Sequence, residues 1–319
     1  MKKTFRQLAR DLIDNHALSG SDCRAVLAWF GASSIYFPTE QDKRRAQDAL
    51  VWMYRNTPAG DSVPFDRCIA AFSEKFGLPL PDSERLFAGF SDRADTVQPV
   101  MIGIEGLDGS GKTVQAKRLC QILEQSGKRV CLIDFPQYSG FFGKEIGALL
   151  SDTDGVSAME LDEKSMCLWY ALDRRKTIDH AQIGKYDYVI FNRYTLSNVV
   201  YQSARRYRGL RQEFVDWIFE LEHIQLALPV PDIYIYLNTR SDLSGENVLR
   251  KGQREYVDGL DVYERSQDLL SCCHGIYQKL ADEIDEIKFL ECMDDKGSLR
   301  GIEEINADII ANLTKYGLF

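Results

Sequence analysis

Residues 106–113 read Gly-Leu-Asp-Gly-Ser-Gly-Lys-Thr and satisfy the pattern G-x-x-x-x-G-K-[ST] at every fixed position. No other stretch restricts the fold so tightly. Its glycines permit a turn whose backbone N–H groups curl around phosphate oxygens, along a path that side chains would obstruct. Lys112 adds a cation near the outer phosphates, and the Thr113 hydroxyl suits Mg²⁺. Such a turn has meaning only between a strand and a helix, and both are present. The apolar run VMIGIE (100–105) precedes it, and a helical pattern through Gln125 follows, aiming its positive end at the same anion. Gly106, Asp108, Gly109, Ser110, Gly111, Lys112 and Thr113 are therefore read as a cradle for a nucleoside triphosphate.

The remainder of this part alternates strand and helix patterns. RVCLIDF (129–135), YVIFN (188–192), DIYIYL (232–237) and EIKFL (286–290) are four more short apolar runs. Short buried runs separated by helices predict a parallel sheet flanked by helices on both faces, with ligands at the carboxyl ends of the strands. Residues 1–97 carry only helical periodicities and are predicted to form a small all-α domain, its aromatics Trp29, Phe30, Trp52 and Tyr54 forming the core. The polar segment SDRADTVQP (91–99) reads as a linker. The domains expected are thus 1–97, helical, and 98–319, α/β.

Composition narrows the partners. The 319 residues are 45% apolar and 27% charged, which suits two globular domains. A net charge of −9 gives no general attraction to nucleic acid or an anionic membrane, so nucleic acid is not an expected partner. No run approaches the roughly 18 apolar residues of a membrane span, and the opening MKKTFRQLARDLID lacks a signal peptide's apolar centre. The eight cysteines form no C-x-x-C pair and read as reduced thiols. A cytoplasmic protein is expected.

Three segments near strand ends carry groups suited to a nucleotide acceptor. Asp134–Tyr138 (DFPQY) ends the second strand. Tyr170 and Arg174 lie four residues apart on one helix face. Asn192–Tyr201 (NRYTLSNVVY) leaves the third strand with a cation and several hydrogen-bonding groups. An aromatic can stack on a base, an amide can read its edge, and arginine can grip phosphate with two N–H groups. Each also has a plainer reading: Tyr170 as core, Arg174 as an ion pair, Ser197 and Asn198 as helix caps.

Taken in order, IEGLDGSGKT, the FPxY turn, YALDR, RYxxSNxxY, PDIYIYL and DVYER resemble the thymidylate kinase family over about residues 101–280. The resemblance implies a P-loop kinase that phosphorylates a deoxynucleoside monophosphate, dTMP first, with ATP and Mg²⁺. It implies that Asp108 holds the acceptor's 3′-hydroxyl, that Tyr170 stacks on thymine and that Asn198 reads its polar edge. Phe135, Tyr138 and Ser197 would line the same pocket. Arg174 and Arg193 would contact base and phosphate, with Arg193 near the transferring group, and Tyr201 would crowd the ribose 2′ position. Arg250, Lys251 and Arg254 fall where the family's lid supplies catalytic cations; a solvated basic face is the plainer reading. Glu264 and Asp261 would lie near Mg²⁺-bound water with Thr113, or else serve as a cap. A homodimer is implied as well.

This chain departs from the family in two places. Asn192 stands where the family's DRY begins with aspartate, which keeps the shape but removes a negative charge from the metal site. Gln137 stands in the FP turn where the family often has a cation. These departures leave two alternatives: a non-catalytic nucleotide sensor or scaffold, and a kinase of a modified deoxynucleotide.

Overall fold

The five apolar runs become five strands: β1 (Val100–Gly106), β2 (Val130–Asp134), β3 (Tyr188–Asn192), β4 (Ile233–Asn238) and β5 (Ile287–Glu291). Each expected boundary holds to within a residue or so. The computed structural model describes residues 99–152, 155–239, 260–284 and 286–319. The expected N-terminal helical domain and the basic run holding Arg250, Lys251 and Arg254 lie outside the described residues.

All four strand ladders are parallel, in the order β2-β3-β1-β4-β5. Parallel neighbours need a crossover, and helices supply it. These are α1 (Lys112–Gln125), α2 (Phe141–Ser151), α3 (Glu163–Ala181), α4 (Thr195–Tyr207), α5 (Gln212–Phe219), α6 (Gln267–Glu283) and α7 (Ile302–Lys315). A π-helical turn, Glu220–Gln225, continues α5.

Alternation along β1 sorts the two faces of the sheet. Ile102 and Ile104 point to one face, where Ala116, Leu119 and Leu123 of α1 and Ile305, Ile309 and Leu313 of α7 cover them. Full burial of an isoleucine or leucine contributes about 1.5–3 kcal/mol each, so this layer dominates the stability. Gly103 and Glu105 point to the other face. There the Tyr236 and Tyr277 rings stack at 4.3 Å, and α4 packs against both α3 and α6. β1 is the central strand, so the turn at its carboxyl end sits between the ends of β3 and β4. No described helix is long and apolar enough to cross a membrane. The six described cysteines are all free thiols.

Candidate active site

The turn after β1 takes the conformation that its glycines allow. Gly109 and Gly111 have φ of 80° and 86°, in the left-handed region where a Cβ is strained. Gly111 is also the N-cap of α1, and no side chain caps that end. Lys112, the first residue of α1, is buried; its Nζ donates to the carbonyls of Gly106 at 3.0 Å and Leu107 at 2.6 Å. The ammonium is thereby held over the mouth of the turn. Backbone N–H groups, a helix N-terminus and a fixed cation converge there, which is the chemistry of polyphosphate binding.

Beside this turn lies a cleft, part of it open to solvent. Asp108, Phe135, Tyr138, Tyr170, Arg174, Arg193, Ser197, Asn198, Tyr201 and Asp261 line it, so the structure brings together every expected acceptor residue. Arg193 follows β3 with φ of 64°, a strained value for a residue with a side chain. Its N–H is pinned to the Ile104 carbonyl at 3.0 Å. That backbone path aims the guanidinium at Asp108, where Nη2 donates to Oδ1 at 2.6 Å. Burial would lower the arginine's pKa, but the Asp108 carboxylate together with Tyr201, Tyr277 and Glu105 outweighs it and raises the pKa further above its ordinary value. The Tyr201 hydroxyl donates to the other Asp108 oxygen at 3.3 Å. One carboxylate thus orients a cation and a phenol at the junction of turn and cleft.

Arg174 is an ion pair, as its plainer reading had it, and it lines the cleft as well. It is 2% exposed and makes a two-pronged pair with the fully buried Glu222 on the π-helical turn, with Nε donating to Oε2 at 2.6 Å. Thr195 Oγ1 and Asn198 Nδ2 donate to the same carboxylate at 2.7 and 2.9 Å. Asn198 does not cap the helix; its Oδ1 is buried with no hydrogen-bond partner. Ser197 is likewise drawn inward, donating from Oγ to Glu105.

Glu105 anchors the sheet to the helices beyond it. Fully buried, it also accepts from the Tyr194 backbone N–H and the Tyr277 hydroxyl, both at 2.9 Å. Burial raises its pKa above the ordinary 4.5, outweighing the hydrogen bonds and the Arg193 charge that lower it. A raised acid binds its proton more tightly in the folded chain, so stability falls as pH climbs from about 4.5 to the folded value. Urea denaturation across that range is therefore expected to show a shallower decline for Glu105→Gln, whatever uniform loss the amide adds. An unchanged slope would mean that Glu105 is not the group responsible.

The expected metal residues have different hydrogen-bond partners. The Thr113 hydroxyl accepts from Asn192 Nδ2 at 3.0 Å. Asp261 and Glu264 build a reciprocal cap. Asp261 Oδ1 accepts from the backbone N–H groups of Tyr263 and Glu264 at 2.9 Å, and Glu264 Oε2 accepts from that of Asp261 at 3.0 Å. Gln137 turns its side chain away from the cleft, donating to the Asp134 carbonyl. Among the described residues no cluster of three or more His, Cys, Asp and Glu forms a cage for a metal.

Sequence reading missed Glu222, Gln202 and Tyr263. Gln202 lines the cleft, four residues after Asn198 on α4, and its Oε1 accepts from Arg205 Nη1. That i, i+4 spacing was the available signal. Tyr263 lies inside DVYER, with its ring 5.9 Å from that of Tyr201. Nothing in the sequence singles out Glu222.

A parallel sheet with a polyphosphate turn at its central strand and a cleft beside it defines a P-loop nucleotide phosphotransferase. A family model described as thymidylate kinase matches residues 104–296. A thymidylate kinase from Mycobacterium tuberculosis is 31% identical over 185 residues, covering 57% of this chain and 86% of that one. A probable thymidylate kinase from Pyrococcus horikoshii is 30% identical over 220 residues, 68% of this chain and 96% of that one. The solved thymidylate kinase of Candida albicans shares the fold, with a TM-score of 0.53 at 21% identity over 69% of this chain and 93% of that one. The chain belongs to the thymidylate kinase family, and so to the nucleoside monophosphate kinases.

Proposed function

We propose that the protein transfers the γ-phosphoryl group of ATP to dTMP, giving dTDP, with Mg²⁺ as cofactor. One observation carries this reading: Asp108 belongs to the polyphosphate turn and also lines the cleft, so donor and acceptor share a wall. The turn binds the ATP phosphates, with Lys112 balancing their outer charge. The acceptor lies in the cleft, its 3′-hydroxyl on Asp108, its base against Tyr170, and the base edge within reach of Asn198 and Gln202. The buried, unpartnered Oδ1 of Asn198 is an acceptor, which suits a base N–H better than an apolar ligand. Arg193 lies between the two nucleotides and spreads positive charge over the transferring group, helped by Arg250 and Arg254 of the lid. Tyr201 limits room beside the sugar.

Mg²⁺ fits the donor set around Thr113: a hydroxyl, the carboxylate of Asp134 and the buried, unpartnered Oδ1 of Asn192, all hard oxygens. When bound, it would neutralise charge on the outer phosphates. Glu264 and Asp261, engaged in their own cap, would lie behind it. A cytoplasmic homodimer completes the proposal on the family likeness, and a helical domain over 1–97 on that segment's helical periodicity.

The test is ADP release with dTMP, dUMP, dGMP, dCMP and AMP as acceptors, with and without Mg²⁺. Turnover should be fastest with dTMP and depend on Mg²⁺; ATP binding without turnover on any acceptor would leave only a scaffold. Base stacking contributes about 1–3 kcal/mol, so Tyr170→Ala should raise the acceptor KM by about tenfold or more and leave the ATP KM nearly unchanged. Equal effects on both would remove Tyr170 from the acceptor pocket.

A further inference from the structure

In P-loop enzymes an aspartate outside the P-loop helps the Ser/Thr hydroxyl hold Mg²⁺, and the family's DRY sets one at the end of a strand. Here β3 is that strand on the Thr113 side, and it ends at Asn192, an amide with no charge. One strand further out, Asp134 ends β2 directly opposite Asn192 in the ladder register. The two side chains touch: Asn192 Nδ2 donates to Asp134 Oδ1 at 2.7 Å and to Thr113 Oγ1 at 3.0 Å. A single amide nitrogen therefore joins the carboxylate of β2 to the hydroxyl of the polyphosphate turn. With Nδ2 held by both acceptors, the amide cannot turn over, and its Oδ1 is left buried without a partner.

We propose that the negative charge of the metal site has moved from β3 to β2. Asp134 supplies the carboxylate that holds Mg²⁺ through its bound water, and Asn192 is the spacer that positions Asp134 against Thr113. This rests on the ATP- and Mg²⁺-dependent reading above and deepens it. The chemistry is consistent at each atom. Mg²⁺ keeps several waters, which need acceptors in the surrounding shell, and Asp134 and the Asn192 Oδ1 are both acceptors. Aspartate at position 192 alone would lose the Nδ2 donor and set two carboxylates side by side, so the single reversion is not an improvement in this chain.

The experiment uses the full chain with ADP and Mn²⁺. Free Mn²⁺ is followed by its paramagnetic resonance signal as protein–ADP is titrated, and metal-free ADP affinity is measured by calorimetry. Asp134→Asn should weaken Mn²⁺ binding at least tenfold while metal-free ADP affinity stays within twofold. Asp134→Ser keeps a hydrogen-bond acceptor for the Asn192 amide and guards against misfolding; the same loss is expected. The exchange Asp134→Asn with Asn192→Asp returns one carboxylate to the pair and should recover Mn²⁺ affinity to within threefold of the parent. Parent-like Mn²⁺ affinity in either single variant, or no recovery in the exchange, overturns the inference. A parent that binds ADP with no gain from Mn²⁺ overturns it alone, whereas a parent that binds no ADP removes the kinase reading too.

Discussion

Lys112→Ala is expected to lower kcat by a hundred- to a thousandfold or more, with the fold intact. Removing one preorganised donor to developing charge typically costs that much, and a full cation at the transferring phosphates is at least its equal. Among the described residues, the cations beside the turn are already engaged. The Lys112 ammonium is held by two carbonyls of the turn itself, and Arg193 is tied to Asp108 on the cleft side. Lys112→Arg should restore little, because the longer planar group does not fit where Nζ meets both carbonyls. Steady-state kinetics with far-UV circular dichroism as the fold control is the measurement. A loss below tenfold would move the catalytic cation elsewhere.

Glu222→Ala is expected to be the most destabilising single change in the described part of the chain. It strands a guanidinium that is 2% exposed and leaves Thr195 and Asn198 without their shared acceptor. Breaking a buried pair from one side costs about 3–5 kcal/mol. At roughly 2–4 °C per kcal/mol for a domain of this size, Tm should fall by about 10 °C. The pH dependence has a definite sign. Burial pushes the Glu222 carboxyl up, but the Arg174 charge and hydrogen bond outweigh it and hold the pKa below the ordinary glutamate value. A depressed carboxylate contributes fully above its unfolded pKa, and the contribution is lost as pH falls through the folded value. Melting from neutral to acid pH should therefore show a steeper acid loss in the parent than in Glu222→Gln. The double change Arg174→Met with Glu222→Leu should regain much of the stability, since apolar pairs often replace buried ion pairs at little cost. It would still remove Arg174 from the acceptor cleft. If the single alanine variant melts with the parent, the pair is not a support of α3 and α4.

Much of this was legible before any coordinates. The cradle at 106–113, the five strand runs and the pairing of Tyr170 with Arg174 on one face are set by local pattern: glycine conformational freedom, short apolar runs and helical period. What local pattern could not provide is the partner of each polar group. Arg174 reads from sequence as a base contact or an ion pair, and only its approach to a π-helical turn 48 residues away shows the pair. The Asp261–Glu264 spacing fits a metal shell as well as a cap, and the structure shows the backbone N–H groups of the cap. Gln137, which stands where the family often has a cation, is seen only in the structure to bond the Asp134 carbonyl.

The sequence by itself therefore determined the class of fold, the phosphate cradle and most of the residues that line the cleft, because each is marked by a pattern within a few residues of chain. The tertiary structure alone decided which carboxylate serves which group. Asp108 holds Arg193, Glu222 holds Arg174, Glu105 joins strand to helices, and Asp134 meets Thr113 through Asn192. Those choices depend on strand order and helix packing, which bring together groups 24 to 172 residues apart. In a buried setting a charge must find its partner wherever the chain returns, and that return is set by the sheet.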